Sequence, residues 1–169
     1  MNLIKIIKTK KESKKSFIFS NKEIFQKYKF LLITFSKLLM ISGKKSKTEK
    51  IIFQLFKSLS FKNQKFPLLI FFKALKNISP CVIVRSIRVR GRSYQVPIPL
   101  KETKQIIIGM KWLIKACRNL KIFKTNSFVN ILTNQIYLAY QEKGELIEKK
   151  YELHKIAKTN RLFANYRWF

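Results

Sequence analysis

The sequence predicts a mainly helical fold, a single domain of about six helices from which one antiparallel β-hairpin protrudes. Over most of the chain, apolar residues recur at the three- and four-residue spacing of amphipathic helices. Between residues 81 and 98, apolar and polar residues instead alternate on both sides of a glycine, which is typical of a hairpin. The chain has 169 residues, of which 47% are hydrophobic, enough for one core.

The first half of the chain predicts a tail and three helices. Residues 1–22 form a basic tail, and residues 23–169 form the domain. A helix over about 22–42 is followed by Gly43, which suits a left-handed helix end. Ser46 and Glu49 have the spacing of a capping box that opens a second helix. The tight turn between the two helices presents Lys44 and Lys45.

A third helix is expected from Pro67 to Ile78, because proline is tolerated at a first helical position and Pro80 prevents continuation. The hairpin follows over about 81–98. We expect Arg88 and Arg90 to share one strand face and Ile87 and Val89 the other. An isolated two-stranded ribbon is marginal in water, so it must rest on the helices or on a partner.

Helical spacing returns at Glu102, an acidic residue suited to a helix N-terminus. Turns near residues 124–126 and near Gly144 then separate two further helices, predicted over about 127–142 and 146–164. The last of these helices has a thin apolar face. The chain ends in Tyr166-Arg167-Trp168-Phe169, where an arginine is interleaved with aromatic residues.

The charge balance indicates a polyanionic partner. Lys and Arg total 37 against 8 Asp and Glu, a formal net charge of +29. Such a charge attracts nucleic acid or an anionic membrane surface. The sequence has no predominantly apolar stretch long enough to cross a bilayer, so we expect no membrane span and no membrane partner.

The residues needed for catalysis or metal binding are scarce. The chain has no Asp and a single histidine, His154. Cys81 and Cys117 lack the spacing of a metal site, and we expect both to be buried as small hydrophobic residues. Gly43-Lys44-Lys45-Ser46 lacks the first glycine of a phosphate-binding loop. We therefore predict no enzyme and no cofactor.

The arginines are distributed unevenly. Four of the seven, Arg85, Arg88, Arg90 and Arg92, lie close together in the hairpin, although lysine dominates elsewhere. Arginine differs from lysine in its planar, bidentate contacts with phosphate and its stacking on bases. The cluster therefore favours contact with nucleic acid over a merely solvated surface.

Other features leave alternatives open. At the C-terminus, Arg161 and Tyr166-Arg167-Trp168 could stack on unpaired RNA bases, or Phe163, Tyr166 and Trp168 could fold back as an apolar plug. For the whole protein, one alternative is a DNA-bending protein with a β-ribbon arm, but such proteins need an apolar wedge near the tip. Another is a basic membrane-surface protein.

Four segments in order resemble the bacterial and organellar small-subunit ribosomal protein seven family. They are Gly43–Ser46, the hairpin from Pro80 to Pro97, Lys111-Trp112-Leu113, and the C-terminal pattern from His154 to Trp168. The resemblance extends from about Leu31 to Trp168 and is greatest to the mitochondrially encoded members. One departure is Arg90, which replaces the first glycine of the hairpin turn.

The resemblance implies a protein that binds the head domain of small-subunit rRNA, nucleates head assembly and lies beside the exit-site tRNA and the mRNA exit path. Neighbouring proteins of the head and platform are the other implied partners. A mitochondrial matrix location with an organelle gene is implied before a plastid or bacterial one. The implied rRNA-binding residues are Lys44, Lys45, Arg85, Arg88, Lys111, Arg161 and Arg167, and the implied tRNA-proximal tip is Arg90, Gly91 and Arg92.

Overall fold

The computed structural model describes residues 22–62, 66–123 and 127–167. These residues form six α-helices, one hairpin of two antiparallel strands and one 3-10 helix, which confirms the predicted fold class. The elements are α1 (Lys22–Leu39), α2 (Lys45–Lys62), α3 (Pro67–Ile78), β1 (Val82–Val89), β2 (Arg92–Pro99), α4 (Glu102–Phe123), α5 (Phe128–Tyr140), α6 (Glu145–Thr159) and the 3-10 helix Arg161–Tyr166. The tail predicted for 1–22 lies outside the described residues except for Lys22.

The core lies among α1 to α6, with α3 at its centre. Five of the twelve residues of α3 are buried, and α3 packs against α2, α4, α5 and α6. Phe71 of α3 is fully buried and makes edge-on ring contacts with Phe35 at 5.0 Å and Phe56 at 5.7 Å. Burial of one such side chain stabilises the fold by about 1.5–3 kcal/mol. The apolar stripes therefore meet as the helical spacing predicted.

The turn between α1 and α2 differs from the prediction in two ways. Helix α1 ends at Leu39, earlier than predicted, because Ser42 and Gly43 both have positive φ, 50° and 70°, and reverse the chain. The Lys44 N–H donates to the Ile41 carbonyl at 3.1 Å and closes this turn. Helix α2 then begins at Lys45, so Ser46 lies inside the helix and the predicted capping box was wrong.

The hairpin is joined by a two-residue turn. Val89 pairs with Arg92, and the residues between them, Arg90 and Gly91, both have positive φ, 48° and 81°. Positive φ at both central positions is the geometry whose twist matches that of paired strands. Arg90 therefore holds the left-handed conformation that a glycine adopts more easily.

The strand register corrects the predicted faces of the ribbon. Strand β1 ends at Val89, so Arg90 belongs to the turn and does not share a strand face with Arg88. Alternation places Arg85 on the face of the buried Ile87, and Arg92 pairs with Val89 on that same face. The prediction of one cationic and one apolar face was therefore wrong, because the arginines are divided between both faces.

The C-terminal helix is shorter than predicted. Helix α6 ends at Thr159, and residues Arg161–Tyr166 continue as a 3-10 helix. Asn160 leaves helical geometry with φ −90° and ψ 15°, and its side-chain amide donates to Oε1 of Gln95 at 3.3 Å. The break between α6 and the 3-10 helix thus coincides with the contact of Asn160 with β2. Only Leu146, Ile147 and Ala157 of α6 are buried, which confirms its thin apolar face.

Across the three described ranges, we find no helix both long and apolar enough to cross a bilayer. The same residues contain no group of three or more His, Cys or Glu side chains able to hold a metal ion.

Candidate nucleic-acid interface

A row of cations follows one side of α4. Lys104, Lys111, Lys115 and Arg118 are exposed and spaced by seven, four and three residues. An α-helix turns by about 100° and rises by about 1.5 Å per residue. These four residues therefore fall within an arc of roughly 60° around the helix and extend over about 21 Å along it. We call these four residues the α4 stripe. The stripe therefore places four positive charges along one side of the helix.

A groove lies between the α4 stripe and the end of α1. Its volume is about 310 Å³, and it is lined by Leu38, Lys111, Ile114, Lys115, Arg118 and Asn119. Nη2 of Arg118 donates to the backbone carbonyl of Leu39, the last residue of α1, at 3.3 Å. A cation is favourable at this position because the C-terminus of a helix carries partial negative charge. The bond fixes one wall of the groove.

The Lys44 turn lies at the same end of the molecule. It begins directly after α1, and Lys44 follows closely on Leu39, to which Arg118 is bonded. Lys44 and Lys45 are both exposed. Folding therefore brings the end of α1, from which the chain continues to Lys44 and Lys45, to the C-terminal end of the α4 stripe, although these residues are distant from Lys111 in the sequence.

The ribbon joins the other end of the stripe. The Leu100 N–H donates to the Cys81 carbonyl at 3.0 Å and closes the base of the hairpin. The side chain of Gln105 in α4 donates to the Leu100 carbonyl at 2.7 Å, so α4 is tied to this base. The ribbon, the α4 stripe and the Lys44 turn thus form one connected series of basic elements, which we call the basic surface.

The ribbon arginines occupy distinct positions on this surface. Arg88 lies on the open face, opposite Ser93, and is exposed. Arg85 is exposed at the edge of the other face, opposite the fully buried Val96. Arg90 and Arg92 are exposed on both sides of Gly91 at the tip. The four arginines are therefore exposed along the ribbon and at its end.

The C-terminal cations lie beside the ribbon and do not line the α4 groove. Arg161 and Arg167 are exposed at the two ends of the 3-10 helix, which packs against β2. Phe163 and Tyr166 place their rings 5.1 and 5.2 Å from that of Tyr94. These two aromatic residues fold back, as one alternative predicted, while Trp168 lies outside the described residues.

Lys104, Lys115 and Arg118 were missed by the sequence reasoning. Their spacing from Lys111 by multiples of helical turns could have revealed them, but lysine is so frequent that the row is inconspicuous. The contact of Arg118 with Leu39 joins residues 79 positions apart and could not be found from local pattern.

The remaining side chains with reactive groups are those of the two cysteines and His154. Cys117 is fully buried, and burial raises the pKa of its thiol to about 12. Cys81 is exposed, so the prediction that both cysteines are buried was wrong for it. It follows Pro80 at the ribbon base, and its N–H donates to Nε2 of His154 at 3.3 Å. Burial, aided by the charge of Lys150, lowers the pKa of His154.

Comparison with known proteins adds an independent finding. The description "Ribosomal protein S7p/S5e" belongs to the family whose profile matches residues 5–161. The chain is 37% identical over 138 residues to small ribosomal subunit protein uS7m of Reclinomonas americana, covering 82% of this chain and 85% of that protein. It is 41% identical over 138 residues to uS7 of Buchnera aphidicola, covering 82% and 86%. Identity to uS7 of Pelagibacter ubique is 35% over 130 residues, covering 77% and 81%.

The profile match extends over most of the chain, and the identity to these relatives, from 35% to 41%, is spread over at least 77% of it. The matched residues include the ribbon, the α4 stripe and the Lys44 turn. The chain belongs to the ribosomal protein S7p/S5e family.

Proposed function

We propose that the protein is a structural constituent of the small ribosomal subunit that binds and organises the head domain of its rRNA. The observation that carries this proposal is the basic surface, in which the ribbon, the α4 stripe and the Lys44 turn are connected. Family membership supports it, since the relatives are named small ribosomal subunit proteins. The family is structural and non-enzymatic, so the chain is not an enzyme.

Binding would draw its free energy mainly from phosphate neutralisation. Each cation that meets a phosphate releases counterions, which makes the affinity fall as salt rises. The major groove of an RNA helix is too narrow for side chains, so recognition depends on RNA shape, the 2′-hydroxyls and unpaired bases. A rigid stripe and a projecting ribbon suit this kind of recognition, because they hold cations at fixed spacing against a folded RNA.

The residues assigned to rRNA binding follow the basic surface. Lys44, Lys45 and Lys111 form the part around the groove, to which we add Lys115 and Arg118. Arg85 and Arg88 contact RNA from the ribbon, and Arg161 and Arg167 contact it beside β2. At the tip, Arg90, Gly91 and Arg92 lie next to the exit-site tRNA and the mRNA exit path.

The setting proposed for this role is the mitochondrial ribosome, where neighbouring proteins of the head and platform are the other partners. The similarity to uS7m of Reclinomonas americana supports this location. The bacterial relatives have similar identity, which keeps the bacterial ribosome as the alternative.

The ribbon tip argues against a DNA-bending function. A protein that kinks DNA inserts an apolar side chain between base steps. The tip residues here are Arg90, Gly91 and Arg92, and the nearest prolines, Pro97 and Pro99, lie toward the base. Charged groups at this position suit contact with phosphates.

Crosslinking in cells, followed by sequencing of the attached nucleic acid, tests the proposal. We expect small-subunit rRNA from the head domain as the main product. Recovery of chromosomal or nucleoid DNA would support the DNA-bending alternative, and cosedimentation with anionic liposomes in place of ribosomal particles would support the membrane-surface alternative. Either result would overturn the proposed function.

The ribbon assignment has its own test in a filter-binding assay with the same rRNA. Arg88→Ala removes a guanidinium from the open face, whereas Lys10→Ala removes one charge from the N-terminal tail. Arg88→Ala should weaken binding more, because the paired strands hold Arg88 at a fixed position. Equal losses in the two variants would contradict a specific role for the ribbon.

A further inference from the structure

The C-terminal segment contacts the ribbon at three successive points. At the base, Nε2 of His154 accepts a hydrogen bond from the Cys81 N–H at 3.3 Å. Further along, the Asn160 amide donates to Gln95 at 3.3 Å. Nearer the tip, the ring of Tyr94 contacts those of Phe163 and Tyr166, with centroids 5.1 and 5.2 Å away. These contacts advance along the ribbon as the chain advances through α6 and the 3-10 helix.

The same segment covers the apolar side of the ribbon. Helix α6 packs against β1 and the 3-10 helix packs against β2. Val96 is fully buried, and Ile87 is only 8% exposed, although neither belongs to the main core cluster. A two-stranded ribbon is marginal by itself, so its stability depends on this cover. The cover also limits the directions in which the ribbon can point.

We propose that residues 154–166 act as a strut that fixes the direction of the ribbon relative to the helical body. Tyr94, Phe163 and Tyr166 are then positioning residues for nucleic-acid binding and need not touch the RNA themselves. This inference rests on the proposed function for its purpose, while the strut itself is a property of the free protein. The basic surface does not explain the aromatic cluster of Tyr94, Phe163 and Tyr166. In this proposal, the cluster holds the ribbon arginines in position.

The expected effect follows from a two-state description, in which the ribbon is either docked on the strut or released. Loss of one aromatic contact shifts the docked-to-released ratio by roughly 2- to 13-fold. Loss of both rings shifts this ratio further but not by the product, because the rings of Phe163 and Tyr166 also stack on each other with centroids 6.3 Å apart. If only the docked state presents the ribbon correctly, the apparent affinity for RNA falls in proportion to the docked fraction. The aromatic cluster therefore links ribbon direction to RNA affinity.

The experiment measures the distance between spin labels on the ribbon and on the helical body in the absence of RNA. The labels are attached at Ser93→Cys, on the open ribbon face, and at Lys57→Cys, on exposed α2. Cys81→Ser removes the exposed native thiol. Cys117 resists labelling because its thiol is buried and its pKa is about 12.

The test variant is Phe163→Ala combined with Tyr166→Ala, and the matched control is Leu162→Ala, in the same 3-10 helix but 84% exposed. We expect the control to keep the narrow distance distribution of the wild type and the double variant to gain a second, broader population. Phe163→Tyr, which keeps a ring, should retain the narrow distribution. Circular dichroism melts of all variants check that the helical core, which excludes Phe163 and Tyr166, remains folded.

The outcomes separate the two proposals. A double variant whose distances match those of Leu162→Ala overturns the strut, as does a broadened distribution with unchanged RNA affinity, because the docked fraction then has no bearing on binding. A wild-type protein that fails to bind head-domain rRNA in fluorescence anisotropy refutes the proposed function. In that case the distance measurement still decides whether residues 154–166 hold the ribbon.

Discussion

Neutralising two lysines of the α4 stripe should change the salt dependence of RNA binding by a calculable amount. Lys111 and Lys115 are exposed, lie one helical turn apart and both line the groove beside α1. Lys111→Gln combined with Lys115→Gln removes two positive charges while keeping long polar side chains. If each lysine neutralises one phosphate, the slope of log K against log salt decreases by about 1.4–1.8.

The loss of affinity follows from this change in slope. If the two proteins bind equally at about 1 M salt, binding at about 0.1 M is weakened by roughly 25- to 60-fold in the double variant. The free energy of unfolding should change by less than about 0.5 kcal/mol, because both side chains are on the surface. The effect on binding would then be electrostatic and not a consequence of lost structure.

Fluorescence anisotropy with a head-domain rRNA fragment, measured from about 50 to 200 mM salt, gives the slope directly. The matched control is Lys57→Gln combined with Lys76→Gln, which removes the same charge from exposed positions outside the groove. Equal slopes for the two double variants would refute the reasoning, because the α4 stripe would then contribute only to the diffuse charge of the whole protein.

Three further perturbations address the turn, the helix packing and the ribbon base. Arg90→Gly should slow amide hydrogen exchange in the ribbon, since the left-handed conformation costs a residue other than glycine about 1–2 kcal/mol, yet weaken RNA binding; faster exchange would contradict this. Gly109→Ala should lower the free energy of unfolding in urea by up to about 2 kcal/mol, because crowding of its new Cβ against Oγ of Ser79 at 3.0 Å costs about 1–3 kcal/mol while the helix preference of alanine returns about 1 kcal/mol. Adding Ser79→Ala should recover part of that loss, and a stabilised Gly109→Ala protein would disprove the clash. His154 accepts a hydrogen bond only when neutral, and its pKa is lowered on folding, so its contribution to stability is complete above about pH 6.5 and declines as the pH falls below that value. His154→Gln should therefore lose less stability than the wild type between about pH 7.5 and 5.5 in urea titrations, and equal losses would contradict this assignment.

The sequence predicted the elements better than their ends. Helix α3 and the hairpin were placed almost to the residue, because apolar periodicity and the prolines at 67 and 80 constrain the backbone directly. The errors lie where the conformation of a single residue determines the end of a helix. Ser42 adopts a positive φ that few residues favour, and Asn160 leaves α6 as it binds Gln95 across the fold. Neither feature has a local sequence signature.

The sequence predicted separate parts of the candidate site, and the fold determines how these parts are arranged. Lys44, Lys111 and the ribbon arginines were identified from motifs, but their connection depends on Arg118, which reaches from α4 to the end of α1. The sequence also did not show which face of the ribbon each arginine occupies, because the prediction assumed that the strand continued through Arg90. A register is set by the turn, so one residue's φ decides which side chains face the helices.

The cations that contact the rest of the fold show how so basic a chain can fold. Acids are too few to pair with them, and the structure uses backbone carbonyls and aromatic rings as partners. Nζ of Lys150 donates to the carbonyl of Asn77 near the end of α3 at 2.8 Å, as Arg118 does to Leu39 at the end of α1. Lys149 lies 5.3 Å from the ring centre of Trp112.

These partners offset charge without adding negative groups to the surface. The carboxyl end of a helix and the face of an aromatic ring both attract a cation, yet neither repels a phosphate as a carboxylate on the basic surface would. The packing of α1, α3, α4 and α6 can therefore provide partners for these cations while the lysines of the α4 stripe and the ribbon tip stay positive. In this way the interactions that stabilise the fold preserve the charge that the proposed RNA binding requires.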